Sequence, residues 1–249
     1  MREVTQNQLA VPDNPLAPLK QPLFRSIWIV TVIANIGDWM QSVGAGWLMT
    51  SLTSSPTMVA LVQAATNLPT FILSLPGGAL ADVVDRKRLL FVTTMWMMLF
   101  AAILGVLTIA GTINAWGLLA FTLLIGAGAA LESPTWQAIT PELVRRDELP
   151  AAVALDTAGF NIARAIGPAI GGLLVAVAGA GVNFLVNAAL FLVVLVVLQR
   201  WRRRRRKSSL PAEHFIGAMR AGIRYVRHAP IAKGVLARTF VFAICAAAL

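Results

Sequence analysis

Long apolar segments alternate along the chain with short polar connections. Six of these segments are each about as long as the roughly 20 residues that a helix needs to cross a bilayer core. They run near residues 26–49, 57–81, 89–110, 115–138, 152–177 and 181–199. This pattern predicts an all-α integral membrane protein with six spanning helices.

Charge in the connections alternates from one to the next. The first, third and fifth connections are short and carry no charge, whereas the second, fourth and sixth are charged. All Lys and Arg residues except Arg164 fall in loops and flanks that this topology places on one side. Basic loops stay on the cytoplasmic side of a membrane. We therefore predict a multi-pass protein with a cytoplasmic N-terminus.

Composition supports a membrane protein and excludes several other classes. Hydrophobic residues make up 57% of the chain and charged residues 13%, where a soluble domain carries about a quarter charged residues. The single cysteine excludes an intramolecular disulfide and a cysteine metal cluster. No phosphate-binding glycine-rich motif is present. We expect no cofactor, no metal and no catalytic residues.

The two ends of the chain differ from its apolar middle. Residues 1–22 are polar and rich in proline, which predicts a disordered cytoplasmic tail. Residues 200–230 form a basic linker with a predicted amphipathic helix. Its start, 200–207, could bind nucleic acid or anionic lipid; directly after a membrane helix we favour lipid headgroups and expect no nucleic-acid partner. Residues 231–249 are interpreted as the start of a truncated seventh spanning helix.

A charged turn follows the second apolar segment and carries a family resemblance. It resembles the loop between helices 2 and 3 of the major facilitator superfamily. The matching residues are Gly78, Leu80, Ala81, Asp82, Arg86 and Lys87. Asp85 stands where the family usually has Gly, and Val83 where it often has Arg. The resemblance implies that this loop gates the cytoplasmic side.

The fifth apolar segment carries a second motif. Its residues Gly167, Pro168, Gly171 and Gly172 resemble the G-P-x-x-G-G motif of helix 5 in antiporter branches of the superfamily. Small residues every fourth position make one helix face nearly flat, so that it can pack closely on a neighbour. Together with the run from Pro141 onward, the motif resembles the branch that contains the enterobactin exporter and the transmembrane secretion effectors.

The resemblance implies a bacterial inner-membrane transporter of twelve helices, built from two halves with 3+3 inverted repeats. This chain would be the first half with a linker, and its partner a C-terminal six-helix half. The implied function is proton-coupled export of a siderophore, drug or amphipathic metabolite. One departure matters: Thr122 and Ile125 replace the Arg and Gln of the helix 4 motif in proton-coupled drug antiporters.

Four charged residues lie inside the predicted spans. A charge at mid-bilayer costs about 2.5–3.5 kcal/mol on the mildest insertion scale, so each needs a partner or a wet cavity. Asp38 and Arg164 lie about halfway along the first and fifth spans. The resemblance implies that these two helices are neighbours, so we expect the two residues to pair. Glu132 and Asp156 are further candidates for the ion pathway. In the 3+3 repeat scheme that the resemblance implies, Glu132 is the fourth-span counterpart of Asp38.

Uncharged polar residues recur at helical spacing beside these charges. The pathway candidates among them are Asn35 on the first span, Gln63 and Asn67 on the second, and Asn161 on the fifth. Such stripes fit a central solvent path. The alternative is hydrogen bonding between helices without a transport role, at about 0.6 kcal/mol per bond.

Two other classes of function compete with transport. A non-transporting membrane scaffold, or an inactive transporter fragment, would keep the helices and the basic patch without needing a polar cavity. An intramembrane enzyme would need a Ser/His, paired-Asp or metal-ligand arrangement within the spans, and the sequence has none. We therefore predict a transporter rather than an enzyme.

Overall fold

The computed structural model describes residues 15–201 and Arg238, with the exception of the Asp82 side chain. The chain divides into two units, Met1–Arg205 and Arg206–Leu249. All the helices described below belong to the first unit. The expectations for residues 1–14, for most of the basic linker and for the seventh span lie outside the described residues.

Regular structure in the described part is entirely helical, which confirms the predicted all-α class. Five long helices follow one another: α1 Pro22–Leu52, α2 Pro56–Val83, α3 Arg86–Ile109, α4 Ala115–Leu143 and α5 Leu149–Arg200. Proline begins α1 and α2, where its missing N–H costs nothing. Side-chain caps begin α3 and α4: Asp85 accepts from Arg88 N at 3.1 Å, and Asn114 accepts from Gly117 N at 2.7 Å.

Four helical segments of the described residues are long and apolar enough to cross a membrane: Pro56–Ala81, Arg86–Ile109, Ala115–Leu143 and Arg146–Arg200. Helix α1 is not among them, because polar residues such as Asn35, Asp38 and Gln41 lower its mean hydropathy. These polar residues are also the ones that line or neighbour the cavity described below.

Helix α5 covers two of the predicted spans and is broken between them. Gly179 has φ of +83°, a left-handed backbone conformation that glycine adopts without steric cost. The break separates a first part, 149–178, from a second part, 180–200. It falls between the predicted fifth and sixth spans, 152–177 and 181–199.

The flat face of the first part of α5 packs on α1. A Cβ placed on Gly167 would lie 2.6 Å from Trp39 Cβ, and one on Gly171 would lie 2.8 Å from Met40 Cα. Larger residues would therefore push the two helices apart. Gly172 faces away from this contact, since a Cβ placed on it would meet nothing within 4 Å.

The second part of α5 packs on α1 through buried amides. Asn183 Nδ2 donates to Met40 O at 2.8 Å, and Asn187 Nδ2 donates to Gln41 Oε1 at 3.2 Å. Gly44 and Gly37 leave room for these two asparagines. Polar residues of this kind hold helices together where no water competes for their hydrogen bonds.

The other helices form a second close pairing and two apolar clusters. Helix α2 packs mainly on α4, whereas α3 packs on both α5 and α4. One cluster includes Met49, Leu104, Leu118 and Phe184, and the other includes Phe24, Leu90, Ile139, Leu198 and Trp201. Between α1 and α4 the contact is small, and the cavity described next lies there.

The start of the described chain departs from the predicted tail. Residues Ala17–Lys20, expected to be disordered, form a short 3-10 helix. Pro18 is buried, and Gln21 Nε2 donates to Glu148 Oε2 in the connection before α5. Burial of apolar surface and this hydrogen bond order a segment whose composition alone suggested disorder.

Candidate functional site

A cavity of about 450 Å³ lies between α1, α4 and the first part of α5. This volume falls in the range of small-molecule pockets, roughly 300–1,000 Å³. Residues of both apolar clusters close it, including Phe24 and Ile139 from one and Met97 and Phe191 from the other. Its polar lining includes three carboxyl groups, those of Asp38, Glu132 and Asp156.

Glu132 is the most deeply placed of the three carboxyl groups, with 6% of the residue exposed. Its Oε1 accepts from Trp136 Nε1 at 2.6 Å and from Thr94 Oγ1 at 3.3 Å. Its Oε2 is buried and has no hydrogen-bond partner. A buried carboxyl oxygen without a partner is costly, so this atom is available to a ligand or a proton.

Asp38 and Asp156 approach the cavity from the two helices that face α4. Asp38 projects from α1 beside Asn35, and both line the cavity. Asp38 and Glu132 line the same cavity from α1 and α4. Asp156, on α5, accepts a hydrogen bond from Thr140 Oγ1 at 2.9 Å, which joins α5 to α4. The cavity thus gathers four of the eight predicted pathway residues, Asn35 among them.

Arg164 does not pair with Asp38, in contrast to our expectation. Among the described residues, Arg86 pairs with Glu142 and Arg145 with Asp147, and neither ion pair involves Arg164 or Asp38. The Arg164 guanidinium instead lies 5.7 Å from the centre of the Trp39 ring, a cation–π contact. The close approach of Gly167 to Trp39 brings this face of α5 over the ring, while Asp38 faces the cavity from another side of α1.

The remaining predicted pathway residues do not line the cavity. Gln63 and Asn67 are exposed on α2, and Asn161 is exposed on α5, where its Nδ2 donates to Thr157 O at 2.8 Å. The structure therefore brings together the polar residues of the first and fourth helices but leaves the stripe on the second at the surface of this unit.

Several lining residues were not anticipated from the sequence. Trp28 and Trp136 line the cavity, and each indole N–H is already used, by Leu155 O at 3.0 Å and by Glu132 Oε1. Trp136 lies four residues after Glu132, so helical spacing could have identified it as a partner. Trp28 contacts a residue far away in the sequence, and no local pattern predicts that contact.

The basic residues of the 2–3 loop bind the ends of two other helices. Arg86 Nη1 donates to Glu142 Oε1 at 2.9 Å and to Ala138 O at 2.5 Å, both on α4. Lys87 Nζ donates to Trp201 O at 2.6 Å and to Gln199 O at 3.2 Å, at the end of α5. Cations are favourable at helix C-terminal ends. The Asp82 side chain lies outside the described residues, and Gly78 has no close neighbour.

Within residues 15–201 no group of three or more His, Cys, Asp or Glu side chains is arranged to hold a metal ion. The three cavity carboxyls come from different helices and differ in burial: Glu132 is buried, Asp156 is half-buried and Asp38 is exposed. The site therefore offers carboxyl groups, aromatic faces and amides around one cavity.

Comparison with known proteins identifies the family of the chain. The family model described as "Transmembrane secretion effector" matches residues 13–249. The Staphyloferrin A transporter of Staphylococcus aureus (strain NCTC 8325 / PS 47) is 32% identical over 163 residues, which are 65% of this chain and 41% of that transporter. Enterobactin exporter EntS of Shigella boydii serotype 18 (strain CDC 3083-94 / BS512) is 29% identical over 230 residues, 86% of this chain and 51% of that exporter. The chain thus spans about half the length, or less, of these curated relatives.

Proposed function

The chain belongs to the transmembrane secretion effector family of the major facilitator superfamily, and from this premise we propose that it is part of a secondary active exporter. The exporter moves a small amphipathic molecule, such as a siderophore, drug or metabolite, across the bacterial inner membrane by alternating access. The N-terminus is cytoplasmic in this proposal. A second six-helix half supplies the other side of the pathway, and residues 200–207 contact anionic lipid headgroups.

The observation that carries the proposal is the cavity with its carboxyl groups. Ionisable residues inside a membrane protein are expensive and mark substrate or ion pathways. Asp38 and Glu132 face the same cavity from α1 and α4, and one carboxyl oxygen of Glu132 has no partner. A scaffold without transport would gain nothing from keeping these groups between apolar helices.

Asp38 and Glu132 are proposed as the coupling groups, with the proton as coupling ion. Protonation removes the charge from a carboxyl group that lines the cavity and so changes which conformation is favoured. Gln63, Asn67, Asn161 and Arg164, exposed in this unit, would line the pathway once the second half is in place. Loss of the negative charges that Asp38 and Glu132 bring to the same cavity would let α1 and α4 approach.

The 2–3 loop is proposed as the cytoplasmic latch. Arg86 and Lys87 join the start of α3 to the ends of α4 and α5 through side-chain hydrogen bonds. In the closed state Asp82 would complete this set of contacts. Opening the cytoplasmic side would then require these bonds to break together.

Transport is tested with the native protein in cells that lack their own efflux systems. Cells are loaded with enterobactin or ethidium, and release is followed after energisation. We expect release faster than from cells without the protein, and loss of at least about tenfold in rate for Asp38→Asn, since the coupling charge is gone. Asp147→Asn, at an exposed surface ion pair, is the matched control. Release of both probes at the rate of cells lacking the protein would refute the proposal for these substrate types, and a normal rate for Asp38→Asn would remove Asp38 from the coupling.

A further inference from the structure

We propose that the cavity between α1, α4 and the first part of α5 selects organic cations that carry an apolar body. This inference rests on the proposed transport function and names the substrate class of the same site. It follows from the sign of the charges around the cavity, from one unpartnered buried oxygen and from the way in which the lining hydrogen-bond donors are used.

The charged side chains that line the cavity are all acidic. They are the carboxyl groups of Asp38, Glu132 and Asp156, and the described lining contains no Lys, Arg or His. Arg164, the nearest candidate for a counter-charge, lies over Trp39, and neither residue is part of the lining. Charges interact more strongly in a protein interior than in water. A cationic ligand would therefore be attracted into the cavity, and an anionic one repelled.

Glu132 provides the point at which a cation would pair. The residue is 6% exposed and lines the cavity, and its Oε2 has no hydrogen-bond partner. The neighbouring donors, Trp136 Nε1 and Thr94 Oγ1, both bind the other oxygen, Oε1. This arrangement holds the carboxyl group in position and leaves one oxygen for a positive group that enters from the cavity.

The donors that an anion would need are mostly engaged by protein acceptors. Trp28 Nε1 donates to Leu155 O, and Trp136 Nε1 donates to Glu132. The hydroxyl groups of Thr31 and Thr140 donate to Ile27 O and to Asp156 Oδ2. The Asn35 amide and the Ser133 hydroxyl also line the cavity, so the preference for a cation rests on the charge and on Glu132 rather than on a complete lack of free donors.

Aromatic rings form much of the remaining wall. Five of them line the cavity: Phe24, Trp28, Trp136, Phe160 and Phe191. The faces of aromatic rings attract cations and also pack well against apolar surface. A ligand with a delocalised or shielded positive charge on an aromatic body would satisfy the rings and Glu132 together, whereas a strongly hydrated inorganic cation would not.

The test uses two probes of the same shape and opposite charge, tetraphenylphosphonium and tetraphenylborate. Binding of each to the purified 249-residue chain in a zwitterionic detergent is measured by equilibrium dialysis, with protein-free micelles as the baseline. We expect saturable binding of tetraphenylphosphonium and none of tetraphenylborate above the baseline. Absence of saturable tetraphenylphosphonium binding, or equal binding of the two probes, would overturn the inference.

Two variants locate the binding in the cavity, and one serves as control. Glu132→Gln should weaken tetraphenylphosphonium binding by about tenfold or more, because it removes the buried charge. Asp38→Asn, at a carboxyl group that borders the cavity, should weaken tetraphenylphosphonium binding by several fold. This second variant keeps the test valid if Glu132→Gln fails to fold. Asp147→Asn should bind as the unmodified chain does. Unchanged binding in both cavity variants would place the cation elsewhere and refute the site.

Binding needs no gradient and no transport, so the two proposals fail separately. Saturable cation binding without any export would keep this inference and refute the exporter. Export of enterobactin without tetraphenylphosphonium binding would keep the exporter and refute the cation site.

Discussion

The contact between α1 and α5 at Gly171 allows a sharp stability prediction. A Cβ placed on Gly171 would lie 2.8 Å from Met40 Cα and 3.2 Å from Met40 O, and both are backbone atoms that cannot rotate away. Overpacking of this kind costs about 1–3 kcal/mol. Replacing a glycine inside a helix by alanine gains about 1 kcal/mol in helix propensity. Gly171→Ala should therefore range from neutral to about 2 kcal/mol less stable than the unmodified protein.

The neighbouring Gly172 is the matched control, because it has the same helical context without the close contact. Nothing lies within 4 Å of a Cβ placed there. Gly172→Ala should keep the full gain in helix propensity and be up to about 1 kcal/mol more stable than the unmodified protein. The two alanine variants should thus differ by about 1–3 kcal/mol, which is the overpacking cost alone.

The difference is measured as the free energy of unfolding in mixed micelles titrated with sodium dodecyl sulfate, followed by helical circular dichroism. The free energy of unfolding must fall with detergent concentration at the same slope in both variants, so that the difference between them reports stability alone. If the two alanine variants agree within about 0.5 kcal/mol, the usual scatter for surface substitutions, the backbones of α1 and α5 do not approach at Met40. The arrangement that places the cavity beside α1 would then be wrong.

Three further predictions concern the 2–3 loop and a helix start. Asp82→Asn should abolish transport while leaving the protein in the membrane; normal efflux by this variant would remove the latch. Glu142→Gln removes the charged partner of Arg86. Backbone amides at the start of α3 should then exchange hydrogen faster, by up to about fivefold for a loss of about 1 kcal/mol. Unchanged exchange would show that the ion pair does not hold the loop. Asn114→Ala removes the side chain that caps α4 by accepting from Gly117 N, and it should lower the free energy of unfolding by about 1 kcal/mol. An effect below about 0.3 kcal/mol in the sodium dodecyl sulfate titration would show that the cap does not stabilise the helix.

The helices were largely predictable from the sequence, because hydropathy and the residues that begin or break helices act locally. Pro56, Asn114 and Gly179 lie at or next to helix starts and breaks, and each acts through its own backbone or through a bond to a near neighbour. The family also followed from local motifs, since the 2–3 loop and the glycines of α5 are short runs. The short helix at Ala17–Lys20 was missed because tertiary contacts, rather than its composition, order it.

The site was only partly predictable, because a residue's depth along a helix does not fix the direction in which it points. Asp38 and Arg164 lie at similar depths, which suggested an ion pair. The close approach of Gly167 to Trp39 sets the rotation of α5 on α1 and places Arg164 over the indole ring instead. The aromatic wall at Trp28 was also missed, since its hydrogen bond spans 127 residues of sequence.

The uneven packing of the helices has a mechanical consequence. Both parts of α5 pack closely on α1. The part before the break at Gly179 does so through glycines, and the part after it through Asn183 and Asn187. Helices α2 and α4 form the other tight pair, and α1 touches α4 only lightly. Helix α3 contacts both α4 and α5 and so connects the two pairs. Because the cavity lies where α1 touches α4 only lightly, a small shift of one pair relative to the other would change the surroundings of a bound molecule while the contacts within each pair are kept.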